Sequence, residues 1–226
     1  ASARRFADEV DPAALWDEAR KYFANILTPF SRLILKKVEE VQRMGLEIAT
    51  IAPSHGLIWR QNPQQIVEQY VRWASGEAQS RALVVYETMW GSTAAMARAI
   101  VDGLNETGVE TQLYALPQTD HTTVVGDLLE ARGLLVGSAT HNRRPLLNIA
   151  ALVEDLIGLR PVNKIGAAFG SHGWGGGAVP LLEKSLQEAG IEVAQKGLEL
   201  TWRPTPDERK QAVEFGRVFG EQVLNR

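Results

Sequence analysis

From residue 82 onward, short apolar runs rich in β-branched residues alternate with stretches of helical period. Ala82 to Tyr86 reads as a buried strand, and Ala94 to Leu104 repeats its apolar positions every three or four residues. Continued to the end, the pattern predicts strands at 82–86, 109–115, 132–137, 163–169 and 191–202. Helices are expected at 92–106, 122–130, 147–158, 177–188 and 206–223. Five strands separated by helices of crossover length predict an α/β fold whose parallel sheet is doubly wound, with helices on both faces. Ligands of such sheets sit beyond the carboxyl ends of the strands, where the strand order reverses.

The first third follows another pattern. Asp11 and Pro12 form an N-cap and first-turn pair before an amphipathic helix over 13–24, and Pro29 opens a second over 30–44 that Gly45 ends. Leu46 to Ala52 reads as a strand, Pro53-Ser54-His55-Gly56 as a turn, and Pro63 starts a short helix carrying Ile66, Tyr70 and Trp73. The polar segment Ser75 to Ser80 is the best linker in the chain. The expected division is therefore residues 1–74, a linker over 75–81, and a second unit over 82–226.

Composition narrows the chemistry. With 45% hydrophobic and 23% charged residues the 226-residue chain is an ordinary globular protein, and its net charge of −3 leaves no basic footprint for nucleic acid or an anionic membrane. It has no cysteine, which removes disulfides, thiolate nucleophiles and cluster ligation from this chain. No apolar run approaches the roughly 20 residues needed to span a bilayer, and no signal-peptide core stands at the N-terminus, so a cytoplasmic protein is expected.

Three loops at strand ends carry the candidate chemistry. Thr88-Met89-Trp90-Gly91-Ser92-Thr93 joins a strand to a helix, where unpaired backbone N–H groups and the helix dipole favour an anion. It lacks the lysine of a nucleotide-hydrolase loop, so a single terminal phosphate suits it better than a triphosphate. Read alone, its hydroxyls are equally a helix cap. Gly137 to Pro145 and Gly170 to Gly177 form the other two, the last with five glycines in eight residues and Trp174 among them. Such glycine density lets backbone amides face a flat ligand. Gly173 to Ala178 also fits a Gly-x-Gly-x-x-Ala dinucleotide pattern, yet it follows the fourth strand instead of the first.

In this order and spacing the loops resemble those of the flavodoxin family. Tyr86-Glu-Thr-Met-Trp-Gly-Ser-Thr93, Gly137-Ser-Ala-Thr-His-Asn142 and Phe169-Gly-Ser-His-Gly-Trp-Gly175 are more closely similar to the FMN domain of the flavodiiron proteins, which reduce oxygen or nitric oxide. Ala52-Pro-Ser-His-Gly-Leu-Ile-Trp-Arg60 resembles the end of that family's metallo-β-lactamase-like domain. The resemblance implies that Thr88, Met89, Trp90, Gly91, Ser92 and Thr93 hold the FMN phosphate. It implies that Ser138, Ala139, Thr140, His141, Asn142 and Arg143, with Ser171, His172, Gly173, Trp174, Gly175 and Gly176, hold the ribityl chain and ring. His55 would be an iron ligand. The second loop is more basic than is usual there, and His172 stands where the family often has Tyr.

The same resemblance implies an oxidoreductase that takes electrons from rubredoxin or from a flavin- or NADH-linked reductase and works as a homodimer or with a di-iron domain chain. Of the four histidines, His55, His121, His141 and His172, one precedes the linker. One imidazole cannot hold two irons, so a di-iron centre requires another chain or an uncut precursor. The alternative is a flavodoxin-like electron carrier without turnover; a flavin-dependent quinone reductase would need a nicotinamide site that no stretch supplies.

Overall fold

A computed structural model describes residues 4–226. The helices α1 (Pro12–Tyr22), α2 (Ser31–Arg43) and α3 (Gln64–Ala74) precede an alternating succession. It runs β1 (Gln79–Glu87), α4 (Ser92–Glu106), β2 (Glu110–Ala115), α5 (His121–Leu128), β3 (Ala131–Ala139), α6 (Leu147–Leu159), β4 (Ile165–His172), α7 (Ala178–Glu188), β5 (Glu192–Val193), β6 (Leu198–Thr201) and α8 (Pro206–Leu224). The sheet order is β2-β1-β3-β4-β5, every pairing is parallel, and β6 also pairs β4. The order reverses between β1 and β3, which fixes where a crevice opens.

Alternation along β1 divides two cores. Leu83 and Val85 pack with α5, α6 and α7 on one face, while Ala82, Val84 and Tyr86 pack with α4 and α8 on the other. The second layer is tight because Gly103 of α4 and Gly216 of α8 let two backbones touch: a Cβ on Gly103 would run into the Val213 carbonyl, and one on Gly216 into that of Ile100. Residues of the first third join the other core, where Phe23, Ala24, Trp73 and Ala74 are buried beside Val124, Val125 and Leu128. A polar bridge runs beneath them. Arg20 Nη1 lies 2.6 Å from Asp127 Oδ1, Asp127 accepts a bond from the Tyr114 hydroxyl, and Trp73 Nε1 donates to Glu130 Oε1 at 2.9 Å. Burial, and then the hydrogen bond to Asp127, holds the Tyr114 phenol well above its ordinary pKa.

Two expectations need correction. No strand forms over 46–52; Ile51 and Trp59 make a single antiparallel bridge, with Leu46 62% exposed, because the segment finds no partner along its length. The run 191–202 is broken into β5 and β6, which lie in succession along one edge of β4. Between them Gly197 turns its amide to Glu183 Oε1 at 2.6 Å instead of to a strand. In addition, β1 starts at Gln79, within the stretch read as linker, and the first helix passes at Phe23 into a π-helical segment, Phe23–Leu27.

Lys164, at the amino end of β4, is 5% exposed and donates to the carbonyls of Leu129 at 2.8 Å and Ala131 at 2.7 Å. Desolvation pulls its ammonium pKa down to about 7. The unfolded chain keeps this lysine charged up to about pH 10, so between about pH 7 and pH 10 the unfolded state binds the extra proton and stability rises with pH. Urea titrations across that range should show wild type gaining on Lys164→Met by at most about 1.4 kcal/mol per pH unit. Parallel curves for the two proteins would rule out this assignment.

Candidate functional site

Register brings the loops together. Tyr86 is level with Gly137, and Gly137 with Phe169, so β1, β3 and β4 release their chains at one height. The first loop turns at Gly91, whose φ of 87° is left-handed and open to glycine at no steric cost. Thr88 Oγ1 accepts the Gly91 N–H at 3.1 Å, and α4 then begins with no side-chain cap. The amides of Ser92, Thr93 and Ala94 thus enter the crevice without intrahelical partners, at the positive end of the helix dipole. By contrast, α5 is capped by Asp120 and α8 by a Thr205–Glu208 capping box. The start of α6 is closed by Glu87, which accepts from Asn148 N at 3.0 Å, Asn148 Nδ2 at 2.7 Å and Ile149 N at 3.3 Å.

The second loop leaves β3 at Ala139, and Thr140 N donates to Ser171 O at 2.8 Å. His141 and Arg144 exchange backbone bonds of 2.9 Å around Asn142 (φ 51°) and Arg143 (φ 62°), a two-residue turn left-handed at both centres. Asn tolerates that conformation, but Arg gives up about 1 kcal/mol to it. The strain is offset by packing: the Arg143 carbonyl lies where a Cβ on Gly177 would be, 2.8 Å away. The third loop runs Gly173 to Gly177. Its end is tied by Ala178 N to Thr140 Oγ1 at 3.2 Å and by Gly177 N to Glu199 Oε1 at 3.3 Å.

The residues singled out from the sequence divide into two sets. Thr93, Ser138, Ala139 and Ser171 are buried and hold the loops in place: Thr93 Oγ1 and Ser171 Oγ share a hydrogen bond of 2.9 Å, and Ser138 Oγ accepts Leu146 N at 2.8 Å. Met89, Trp90, Gly91, His141, Asn142, Arg143, Trp174 and Gly175 are exposed, with Thr88, Ser92, Thr140, His172, Gly173 and Gly176 partly so. Trp90 and Trp174 are 91% and 97% exposed, so neither tryptophan fills the space between the loops. Sequence reasoning passed over Glu87, Glu199 and Trp202. Glu87 had a signal in its place directly after the Tyr86 strand end; the other two reach the loop only through β6.

His55 comes well before these loops in the chain and is exposed, with its ring centroid 5.7 Å from that of Tyr22. Among the described residues no group of three or more His, Cys, Asp or Glu is gathered to hold a metal. A cleft of about 420 Å³ opens at the other end of the sheet, lined by Trp16, Asp17, Arg20, Trp73 and Glu130. Its polar groups already bond one another, Arg20 to Asp17 at 2.7 Å and Trp73 to Glu130, whereas the amides at the start of α4 have no such partners. The carboxyl-end loops are therefore the candidate site.

A family model described as Flavodoxin matches residues 84–216. The chain belongs to the flavodoxin family. The crevice thus lies where this fold takes its ligand, at the β1–β3 switch point. Along its whole length the chain is 47% identical to a nitric oxide reductase of Moorella thermoacetica, of which it spans 57%. Its fold superposes with a TM-score of 0.95 on rubredoxin oxygen:oxidoreductase from Desulfovibrio gigas, at 30% identity over 100% of this chain and 57% of that one. An archaeal flavodoxin is 32% identical over 64% of the chain and is itself covered to 99%, with a TM-score of 0.59. The chain therefore corresponds to the flavodoxin-like portion of flavodiiron proteins and spans a little over half of the first two relatives. No helix among the described residues is long and apolar enough to cross a membrane.

The shared hydroxyl bond is testable without a ligand. Thr93→Val and Ser171→Ala should each destabilise the fold by about 1–2 kcal/mol, and the double variant by about 1 kcal/mol less than their sum, measured by urea unfolding. Strict additivity would mean that the two hydroxyls do not bond.

Proposed function

We propose that residues 82–226 bind FMN and serve as the electron-transfer portion of a flavodiiron oxygen or nitric oxide reductase. The observation that carries the reading is the uncapped start of α4, opening between two loops whose tips are glycine, left-handed backbone and exposed tryptophan. The residues present fit the group. Amides of Ser92 to Ala94 with the hydroxyls of Thr88 and Ser92 would take the phosphate, and no lysine is needed for a terminal monophosphate held permanently. The 138–143 and 171–176 segments would hold the ribityl chain and ring, with Trp90 and Trp174 free to lie against an aromatic face. Arg143 and Arg144, exposed beside the second loop, favour any negative charge that develops on a bound ring. Bound there, FMN would supply one- and two-electron transfer between a reduced partner and an oxidant.

On this reading residues 1–74 are the end of a di-iron domain, linked through 75–81, with His55 as one iron ligand and the others supplied by a partner chain or the longer precursor. Rubredoxin or a flavin- or NADH-linked reductase would be the donor, and a homodimer or a complex with a di-iron chain the working assembly. Exposed apolar side chains from Ile26 to Leu46, including Phe30, Leu33 and Met44, support a covering domain on that side. The second reading, a flavodoxin-like carrier without turnover, is favoured by the near-complete coverage of the archaeal flavodoxin.

Reconstitution should give one FMN per chain by its visible absorption. Ser92→Asp, which keeps the helix N-terminus satisfied with a carboxylate, should weaken FMN by about 30-fold or more and leave riboflavin within about twofold. Equal loss of both flavins, or of neither, would remove the phosphate assignment. Oxygen or nitric oxide consumption by the FMN-loaded chain together with a di-iron domain chain, absent from the loaded chain alone, would favour the reductase over the carrier.

A further inference from the structure

Besides the Ala178–Thr140 bond, the glycine-rich third loop is supported from β6, a strand outside the main path of the sheet, and from the residue that follows it. Trp202 follows β6 directly. Its backbone N–H donates to His172 O at 2.7 Å, and its φ of 60° is left-handed, a conformation that bulky side chains rarely adopt. The ring then lies over Gly173, where a Cβ would be 2.7 Å away, and meets Trp174 with centroids 5.2 Å apart and planes at 82°. Three residues earlier, Glu199 takes the Gly177 amide, and its carboxylate fills the space that a side chain on Gly176 would need.

This arrangement is costly for what the fold alone gains. Trp202 remains 55% exposed and Trp174 97% exposed, so little apolar burial rewards a tryptophan in a backbone position suited to glycine or asparagine. What the pair does achieve is orientation. With Gly173 bare beneath it and its N–H tied to the end of β4, the Trp202 ring is seated against the loop, and the near-perpendicular contact gives the exposed Trp174 a preferred plane.

We propose that Trp202 is a positioning residue for the flavin ring: it sets the plane in which Trp174 meets the isoalloxazine, while Glu199 holds the other end of the loop. The proposal rests on the FMN reading given above. Trp202→Asn suits the left-handed backbone and so keeps the turn; Trp202→Phe keeps an aromatic ring over Gly173. Two coupled indoles at this distance should add an exciton component to the circular dichroism beside that of the Trp16–Trp59 and Trp16–Trp73 pairs, and the same component should appear in the difference spectra of wild type against Trp202→Asn and against Trp174→Ala.

Titration of each folded variant with FMN and with riboflavin provides the second readout. Trp202→Asn should weaken both flavins by about the same factor, on the order of tenfold, because the phosphate is not involved, and Trp202→Phe should recover most of that loss. A difference spectrum without that component in Trp202→Asn, or its presence with flavin affinity within about twofold of wild type, would overturn the role of Trp202 while leaving the FMN reading intact. Failure of the wild-type chain to bind FMN would sink the FMN reading and this proposal with it.

Discussion

The level alignment of β1, β3 and β4 is the constraint on which the site depends. Parallel strands slipped by one residue would turn every side chain to the opposite face, so the register is enforced by both cores at once. One contact makes that enforcement visible. Gly137 is paired with Phe169, and the Phe169 ring occupies the volume that any side chain at 137 would need. The ring therefore seats against bare backbone two residues before β3 ends at Ala139, and the height of the second loop is set from the core outward.

Within this frame the loops are divided between rigid and receptive parts. Thr93, Ser138 and Ser171 spend their hydroxyls inside the protein, and Glu87 spends its carboxylate on the start of α6. The starts of α5, α6, α7 and α8 each meet a side-chain oxygen, whereas that of α4, beside the sheet's switch point, is a positive electrostatic end without one. The basic turn at Asn142 and Arg143 adds cations at the rim without placing one in the cradle itself.

Much of this was legible in the sequence because local pattern and global fold agree here. Each buried parallel strand is a continuous apolar run, and each candidate loop is marked by glycine, proline and hydroxyl residues at a strand end. The misreadings occur where long-range contacts decide. Residues 46–52 have a strand's composition but no neighbour to pair with, and 191–202 is interrupted because Glu183, on a preceding helix, claims the Gly197 amide. Trp202 and Glu199 gave no local sign of a site, since their relation to Gly173 and Gly177 exists only once β6 lies beside β4. The polar composition near residue 75 marks the linker, but not the Arg20–Asp127 pair and the Trp73–Glu130 bond, which join residues far apart in the chain and fasten the first third to α5 and the segment before β3.

The bare backbones of Gly103 and Gly216 carry a consequence for how the molecule is made. Helix α8, 19 residues long, is the backing against which α4 lies, and a chain emerging from the ribosome exposes α4 more than a hundred residues before that support is complete. Until α8 closes on it, the turn at Gly91 rests on a half-built layer. The cradle at the start of α4 is thereby completed only once α8 has been made, and removal of α8 should loosen α4 first where Gly103 and Gly216 meet.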